Sequence, residues 1–147
     1  MGTRYTIKFS DTRKSKAFAN VYGQYDGYLS GAGDAIKRSL TGANGEVRTL
    51  VNGFSDRYNQ TNGMGCAAAL VVDGLKAGEC GGVYLTSSST NQGEEFRYHL
   101  FGENGQLHLV ACDIATFDAN GDAEFKVVFD GPLSEFNGEL LEKGGDA

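Results

Sequence analysis

The sequence predicts an α+β fold, in which a mainly antiparallel β-sheet of about five or six strands carries two helices on one face. Several segments alternate polar and apolar residues as half-buried strands do, and two others space their apolar residues as helices do. The 22 glycines against one proline indicate many tight turns. The length of 147 residues, 40% of them hydrophobic, suits one domain with one core.

The chain begins with a predicted β-hairpin. Residues 4–10 alternate polar and apolar side chains, residues 11–16 form a polar turn, and the alternation resumes over residues 18–25. We expect Asp26-Gly27 to end the second strand, because glycine accepts the positive φ that a tight turn requires.

A short first helix is predicted after this hairpin. Ile36 and Leu40 are four residues apart, residues 30–34 supply a helix entry, and Thr41-Gly42 ends the segment. The helix is therefore expected to be short.

Residues 46–62 leave two interpretations open. Asn52-Gly53 indicates a turn. Four apolar residues are instead spaced as they would be in a helix, namely Val47, Leu50, Val51 and Phe54.

The second helix is predicted over residues 63–77. Its apolar residues are expected to form one narrow face that approaches the sheet closely, with Cys66, Leu70, Val71 and Leu75 among them. Cys66 should accordingly be buried and slow to react, and Gly78 should end the helix.

An antiparallel meander is predicted for the last part of the chain. Strands are expected at residues 82–86, 95–101, 107–113 and 124–129. Asn104-Gly105 is a strong two-residue hairpin signal, and it would place Phe101 opposite His108, His99 opposite Val110, and Arg97 opposite Cys112.

That register places His99, His108 and Cys112 on one face of the sheet. Two histidines and a cysteine can bind zinc, but no fourth ligand is evident, so we expect neither a metal nor another cofactor. The cysteines at 66, 80 and 112 are odd in number and widely spaced, which indicates reduced thiols without intramolecular disulfides.

The chain is predicted to form one domain over residues 1–135, followed by an acidic, flexible tail over residues 136–147. No apolar run is long enough to span a membrane and no signal peptide is evident, so we expect a cytoplasmic protein.

The net charge of −6 is unevenly distributed. Residues 1–60 have nine basic against five acidic side chains, whereas residues 61–147 have four against fourteen. Such a chain lacks the basic surface that nucleic-acid binding requires, so we do not expect a nucleic-acid partner. The acidic half keeps the protein soluble or contacts a basic partner protein.

The segment from residue 22 to residue 38 is the best candidate ligand site. Aromatic rings stack on nucleobases, and the first turn of a helix can present free backbone N–H groups to phosphate. The candidate binding residues are Tyr22, Tyr25, Tyr28, Gly31, Gly33, Lys37 and Arg38.

Several blocks resemble a family of small bacteriophage and prophage accessory proteins. The blocks are RYTIKF at residues 4–9, Val21-Tyr22, Asp26-Gly27-Tyr28, SGAG at 30–33, NGMGCAA at 62–68 and GVYL at 82–85. The resemblance implies an accessory protein that acts in the host bacterial cytoplasm, often against bacterial immunity, and it supplies no catalytic residues.

No catalytic triad, phosphate loop or paired carboxylate is evident, so we expect a binding protein rather than an enzyme. Its leading expected role is phage counter-defence, by sequestering a nucleotide-type immune signalling molecule. Direct inhibition of a host defence protein through the acidic surface is the alternative, and a virion-associated structural role is third. We also expect a homodimer or a higher oligomer, because one face or edge of the sheet would otherwise lack a partner.

Overall fold

The computed structural model describes residues 2–53 and 56–144, and it has the predicted α+β architecture. The strands of this part of the chain are β1 (Tyr5–Phe9), β2 (Ala19–Gly23), β3 (Thr49–Val51), β4 (Gln60–Asn62), β5 (Val83–Thr86), β6 (Phe96–Glu103), β7 (Gln106–Phe117) and β8 (Ala123–Pro132). The helices are α1 (Asp34–Ser39), α2 (Gly63–Lys76) and α3 (Gly138–Glu142). A π-helical turn, Leu29–Gly33, precedes α1, and a 3-10 turn, Leu133–Glu135, precedes α3.

Six strands form the main sheet in the order β5-β2-β1-β6-β7-β8. Neighbouring strands are antiparallel except β1 and β6, which are parallel and pair Tyr5 with Phe96 and Phe9 with Leu100. The chain therefore crosses from the edge strand β5 to the far side of β1, a connection that the predicted meander did not include.

The β6–β7 hairpin has the predicted register. Phe101 lies opposite His108, His99 opposite Val110, and Arg97 opposite Cys112. Asn104 and Gly105 have φ values of 54° and 75°, as expected of the turn type that this dipeptide favours.

The β1–β2 hairpin is also confirmed, but it ends differently from the prediction. Asp26 takes the positive φ, at 57°, and Gly27 does not. A Cβ atom on Gly27 would lie 2.9 Å from the carbonyl oxygens of Thr3 and Arg4. Gly27 is therefore needed for close backbone approach.

The core lies on one face of the main sheet, which we call the covered face. Ile7, Val21, Leu100 and Leu109 point from the strands into one buried cluster with Ile36 of α1. The cluster also includes residues of α2 and of the C-terminal segment, namely Met64, Ala67, Ala68, Val71, Leu133 and Phe136. Within the described ranges, no helix combines the length and the apolar character that crossing a membrane requires.

The prediction that Cys66 is buried is wrong. α2 begins and ends close to the predicted residues, with Ala77 and Gly78 both at positive φ, but Cys66 is exposed. The face that meets the sheet is formed by Met64, Ala67, Ala68 and Val71. Apolar residues occupy most positions from 64 to 72, so helical spacing alone could not select the correct face.

The described residues between 46 and 62 form short strands rather than a helix. β3 and β4 make a separate two-stranded parallel sheet, in which Leu50 lies opposite Thr61. Phe54, one of the residues that suggested a helix, lies outside the described residues.

The packed part of the chain extends beyond residue 135, where a flexible tail was expected to begin. Phe136 is fully buried, and its ring meets that of Phe129 edge-on at 5.1 Å. α3 follows, with the Asn137 side chain accepting a hydrogen bond from the Leu140 N–H. Residues 136–142 therefore belong to the domain, and residues 145–147 lie outside the described residues.

Candidate functional site

A cleft of about 380 Å³ lies where the π-helical turn, the end of α2 and the residues before β5 meet. We call it the tyrosine cleft. Its lining includes Tyr5, Tyr25, Asp26, Gly31, Arg38 and Lys76. Clefts of about 300 to 1,000 Å³ are typical of small-molecule sites, so this cleft lies at the small end of that range.

Three of the seven predicted site residues line the tyrosine cleft. They are Tyr25, Gly31 and Arg38. The Tyr25 side chain is 59% exposed, so its ring is open to a ligand. Gly31 is closely packed, because a Cβ atom at this position would collide with the carbonyl oxygen of Asp26.

Tyr22 and Tyr28 lie elsewhere. The Tyr22 ring stacks on Tyr84 with a centroid distance of 6.3 Å, on the face of the sheet away from the core. The Tyr28 hydroxyl donates to Asp26 Oδ1 at 3.2 Å, and this hydrogen bond raises the pKa of Tyr28. Tyr28 does not line the cleft, and it contacts the lining through Asp26 and Gly31.

Gly33 and Lys37 have structural roles in this fold. A Cβ atom on Gly33 would lie 2.7 Å from the Phe136 ring. Lys37 Nζ donates to the backbone carbonyls of Phe136 at 2.7 Å and Ser134 at 3.1 Å. Both residues hold the C-terminal segment against the π-helical turn and α1.

The backbone N–H groups that were expected to bind phosphate are already hydrogen-bonded. The Ser30 N–H donates to Glu142 Oε2 at 3.1 Å, which places a carboxylate of α3 at the start of the π-helical turn. The N–H groups of Gly31 and Ala32 donate to the carbonyls of Tyr28 and Asp26. Phosphate binding in the tyrosine cleft would therefore depend on side chains.

Charges of both signs line the tyrosine cleft. Arg38 and Lys76 are the cations, and Asp26 and Glu79 are the anions. Lys76 Nζ donates to the carbonyls of Gly81 and Val83, both at 3.0 Å, and so stabilises the segment before β5. Arg38 is exposed and forms no ion pair with any of the described residues, so it is the cation available to a ligand.

Tyr5 forms the buried wall of the cleft. Burial, and secondarily the charge of Asp26, raises the pKa of Tyr5 to about 12. The hydroxyl therefore stays protonated at neutral pH and can serve as a hydrogen-bond donor or acceptor.

The sequence analysis missed the second wall of this cleft. Gly74, Lys76, Glu79 and Gly82 come from the end of α2 and the residues after it. Gly74 allows α1 and α2 to approach closely, because a Cβ atom there would collide with Ser39 Oγ. The Gly81-Gly82 pair was the available signal, but it could not show which segment would face it.

The face of the sheet away from the core, which we call the open face, holds both histidines. Ser10 Oγ and His99 Nε2 are 2.6 Å apart, and burial lowers the pKa of His99 to about 4, with Lys8 and Arg13 contributing. His108 Nε2 lies 2.8 Å from Asp130 Oδ1. His99, His108 and Cys112 share this face as predicted, and no metal-binding group of three or more such residues occurs among those described.

Arg13 covers part of the open face. Its guanidinium lies over the Phe101 ring at 4.8 Å and donates to both carboxylate oxygens of Asp130 at 3.0 Å. The hydrogen bonds from Arg13, and secondarily from His108, lower the pKa of Asp130. Glu103 accepts from Arg13 Nε at 3.3 Å. Because the donors of Arg13 are hydrogen-bonded within this cluster, we assign the cluster a structural role. It covers the ring of Phe101, which is fully buried.

Searches of protein-family models, curated protein sequences and solved structures each gave no significant match to this chain. The similarity to phage accessory proteins therefore stays a prediction from the sequence blocks, and a function has to be inferred from the chemistry of the clefts.

Proposed function

We propose that the protein is a non-enzymatic binding protein that holds a nucleotide-type small molecule in the tyrosine cleft. The observation that carries this proposal is the presence of Tyr25 and Arg38 in one cleft, the ring largely exposed and the guanidinium without an ion-pair partner among the described residues. An aromatic ring can stack on a base while a guanidinium binds a phosphate oxygen pair.

The balance of charge narrows the class of ligand. Asp26 and Glu79 offset the charges of Arg38 and Lys76, so the cleft has no net positive charge. A triphosphate would be repelled by the two carboxylates, whereas a phosphodiester carries a single negative charge for each phosphate. Cyclic or linked nucleotides with few charges therefore fit the cleft better than nucleoside triphosphates.

Binding without turnover is the activity that this lining supports best. The described residues around the cleft include no serine, cysteine or histidine that could act as nucleophile or general base. The two carboxylates line the same cleft and can accept hydrogen bonds from ribose hydroxyls.

The biological role that we propose is phage counter-defence in the host bacterial cytoplasm, by sequestration of a nucleotide immune signal. It rests on the similarity of the sequence blocks to phage accessory proteins and on the properties of the tyrosine cleft. We further propose that the chain self-associates, because helices cover one face of the main sheet, whereas the other face is contacted by loop residues such as Ser89 and Arg13.

A second candidate function is inhibition of a host protein by the β7–β8 hairpin. Phe117 is 63% exposed at its tip, and exposed acidic side chains surround it at Asp118, Asp122 and Glu124. An exposed aromatic anchor with an acidic rim suits a basic protein surface.

The test of the first proposal is calorimetric titration with a cyclic dinucleotide and with a nucleoside triphosphate. We expect the cyclic dinucleotide to bind more tightly and to be recovered unchanged by chromatography. Tyr25→Ala and Arg38→Gln should each weaken binding by about tenfold or more. Tyr58→Ala is the matched control, because Tyr58 is 55% exposed and lies outside the cleft.

Unchanged affinity in both cleft variants would contradict the proposed site, and hydrolysis of the ligand would contradict the non-enzymatic function. Native mass spectrometry of the protein purified from host lysate would report a bound metabolite, a bound host protein and the oligomeric state in one measurement. A monomer at high micromolar concentration would contradict self-association.

A further inference from the structure

A second cleft, of about 550 Å³, lies on the open face, between residues 91–95 and the β7–β8 hairpin. We call it the arginine cleft. Arg97 of β6 lines it, together with Ile114 and Phe117 of β7 and Phe125 of β8. It shares no lining residue with the tyrosine cleft, so a ligand bound here is independent of the proposed function.

Arg97 is held in a fixed position by two contacts. Its Nε donates to Glu94 Oε2 at 2.7 Å, and the Glu94 side chain is only 2% exposed. Glu94 Oε1 in turn accepts from the Gln92 N–H at 2.8 Å, so both carboxylate oxygens are engaged. The guanidinium carbon lies 3.8 Å from the centre of the Phe125 ring. A buried carboxylate and an aromatic ring thus orient the guanidinium before any ligand arrives.

The two terminal nitrogens of the Arg97 guanidinium are available to donate hydrogen bonds to a ligand. Neither has a hydrogen-bond partner among the described residues, although the side chain is 32% exposed and lines the cleft. Two adjacent N–H donors in a fixed plane match a ligand that presents two adjacent acceptors.

The charges around Arg97 argue against an anionic ligand. Glu94 already neutralises the guanidinium, and Glu95 and Asp122 also line the cleft. A phosphate or carboxylate would be repelled by these two acids, whereas a neutral group with N–H donors could hydrogen-bond to them. The exposed ring of Phe117 adds an apolar surface on which a planar group can stack.

We infer that the arginine cleft is a binding site for a neutral, planar heterocycle of the guanine type, taken as a free base or nucleoside. Guanine presents a keto oxygen and an adjacent ring nitrogen as paired acceptors, which is the pattern that arginine binds through two hydrogen bonds. Its ring N–H and amino group are donors that a carboxylate accepts. The acidic half of the chain, four basic against fourteen acidic residues, disfavours the backbone of a nucleic acid.

The experiment is a titration of the full chain with guanosine, inosine and adenosine, followed by NMR or calorimetry. These nucleosides carry no phosphate, so Arg38 of the tyrosine cleft should not contribute to their affinity. We expect guanosine to bind most tightly, inosine more weakly because it lacks the amino group, and adenosine weaker than guanosine by about tenfold or more because it places a donor against Arg97.

Two variants test the site in the protein. Arg97→Lys keeps the charge beside Glu94 but loses the paired donors, and it should weaken guanosine binding by about tenfold or more. Phe117→Ala removes an exposed ring that does not belong to the core, and it should also weaken guanosine binding. Tyr58→Ala is the control with unchanged affinity, because Tyr58 lines neither cleft, and circular dichroism confirms the fold of each variant.

Absence of guanosine binding at millimolar concentration would overturn the inference. Equal affinity for guanosine and adenosine, or unchanged affinity in both Arg97→Lys and Phe117→Ala, would overturn it as well. Loss of guanosine binding in Tyr25→Ala, with unchanged affinity in Arg97→Lys and Phe117→Ala, would assign the nucleoside to the tyrosine cleft and would also refute the second site.

Discussion

The covered face and the open face of the main sheet are built from alternate residues of the same strands, yet they are protected in different ways. Side chains of α1, α2 and the C-terminal segment bury the covered face through apolar packing. On the open face, Phe101 is buried beneath an arginine, and Thr6 donates to the Ser89 carbonyl of a loop at 2.6 Å. The covered face therefore determines stability, whereas the open face holds charged and polar groups between its strands and loops, including those of the arginine cleft.

The strongest test of this difference is Phe136→Ala. Phe136 is fully buried on the covered face, and its removal should reduce the free energy of unfolding by about 3–5 kcal/mol. Chemical denaturation measures this value. Phe117→Ala is the control on the open side, where the ring is 63% exposed, and a comparable loss there would contradict the assignment of stability to the covered face.

The second test uses pH and the open face. Burial lowers the pKa of His99 from 6.5 to about 4, so between these pH values the unfolded chain takes up a proton that the folded chain does not. Stability should therefore fall as the pH is lowered from 6.5 to 4, by about 1–2 kcal/mol for this half-buried group.

The control for the pH test is His99→Gln, which keeps a polar group near Ser10 but does not titrate. Its stability should change less than that of the wild-type chain across the same window. An identical pH dependence in the two proteins, measured by urea denaturation, would assign the effect to other groups. Asp130, whose pKa is lowered by Arg13 and His108, contributes below its ordinary value of 3.8, outside this window.

A smaller effect is expected from Arg13→Gln. This change removes the two hydrogen bonds to Asp130 and uncovers the Phe101 ring. We expect the Tm to decrease by less than in Phe136→Ala, because the Arg13 side chain is 38% exposed and solvent screens its ion pairs. Differential scanning calorimetry at low and high salt would show the difference from wild type shrinking as salt is added; a salt-independent difference would indicate that packing on Phe101 dominates.

The smallest perturbation is thiol labelling, which requires no substitution. It compares the reactivity of the exposed cysteines with that of the cysteine on the open face. Cys66 and Cys80 are exposed, whereas Cys112 is partly buried on the open face and its pKa is raised by that burial. We expect the first two to react quickly and Cys112 slowly, because the thiolate is the reactive form. Mass spectrometry of digested samples would identify each site, and rapid labelling of Cys112 would show that the open face is more accessible than the structure indicates.

The sequence predicted those parts of the fold that local chemistry determines. Asn104-Gly105 defines a two-residue turn, and the turn sets the register of β6 and β7 down to the pairing of Arg97 with Cys112. β3 and β4 could not be predicted, because each has only three residues and they pair in parallel across an intervening segment. Cys66 was misplaced because α2 is apolar on more than one side.

The candidate site was predicted only in part for a related reason. Tyr25, Gly31 and Arg38 are close in sequence and line one cleft. The acid that meets the π-helical turn, Glu142, comes from a segment more than a hundred residues later. Contacts of this kind depend on the complete topology, and no local pattern reports them.

The position of the C-terminal segment has a consequence for how the protein is made. Phe136 packs against Gly33, and a Cβ atom on Gly138 would collide with the Leu29 carbonyl, so the π-helical turn is packed against residues more than a hundred positions later in the chain. β1 likewise acquires its parallel neighbour only when β6 has been synthesised. Contacts between residues so distant in sequence slow folding and leave apolar surface exposed in the meantime. The fold around β1 and α1 can therefore be completed only after residues 136–138 have left the ribosome, and until then apolar residues of the covered face stay exposed to water.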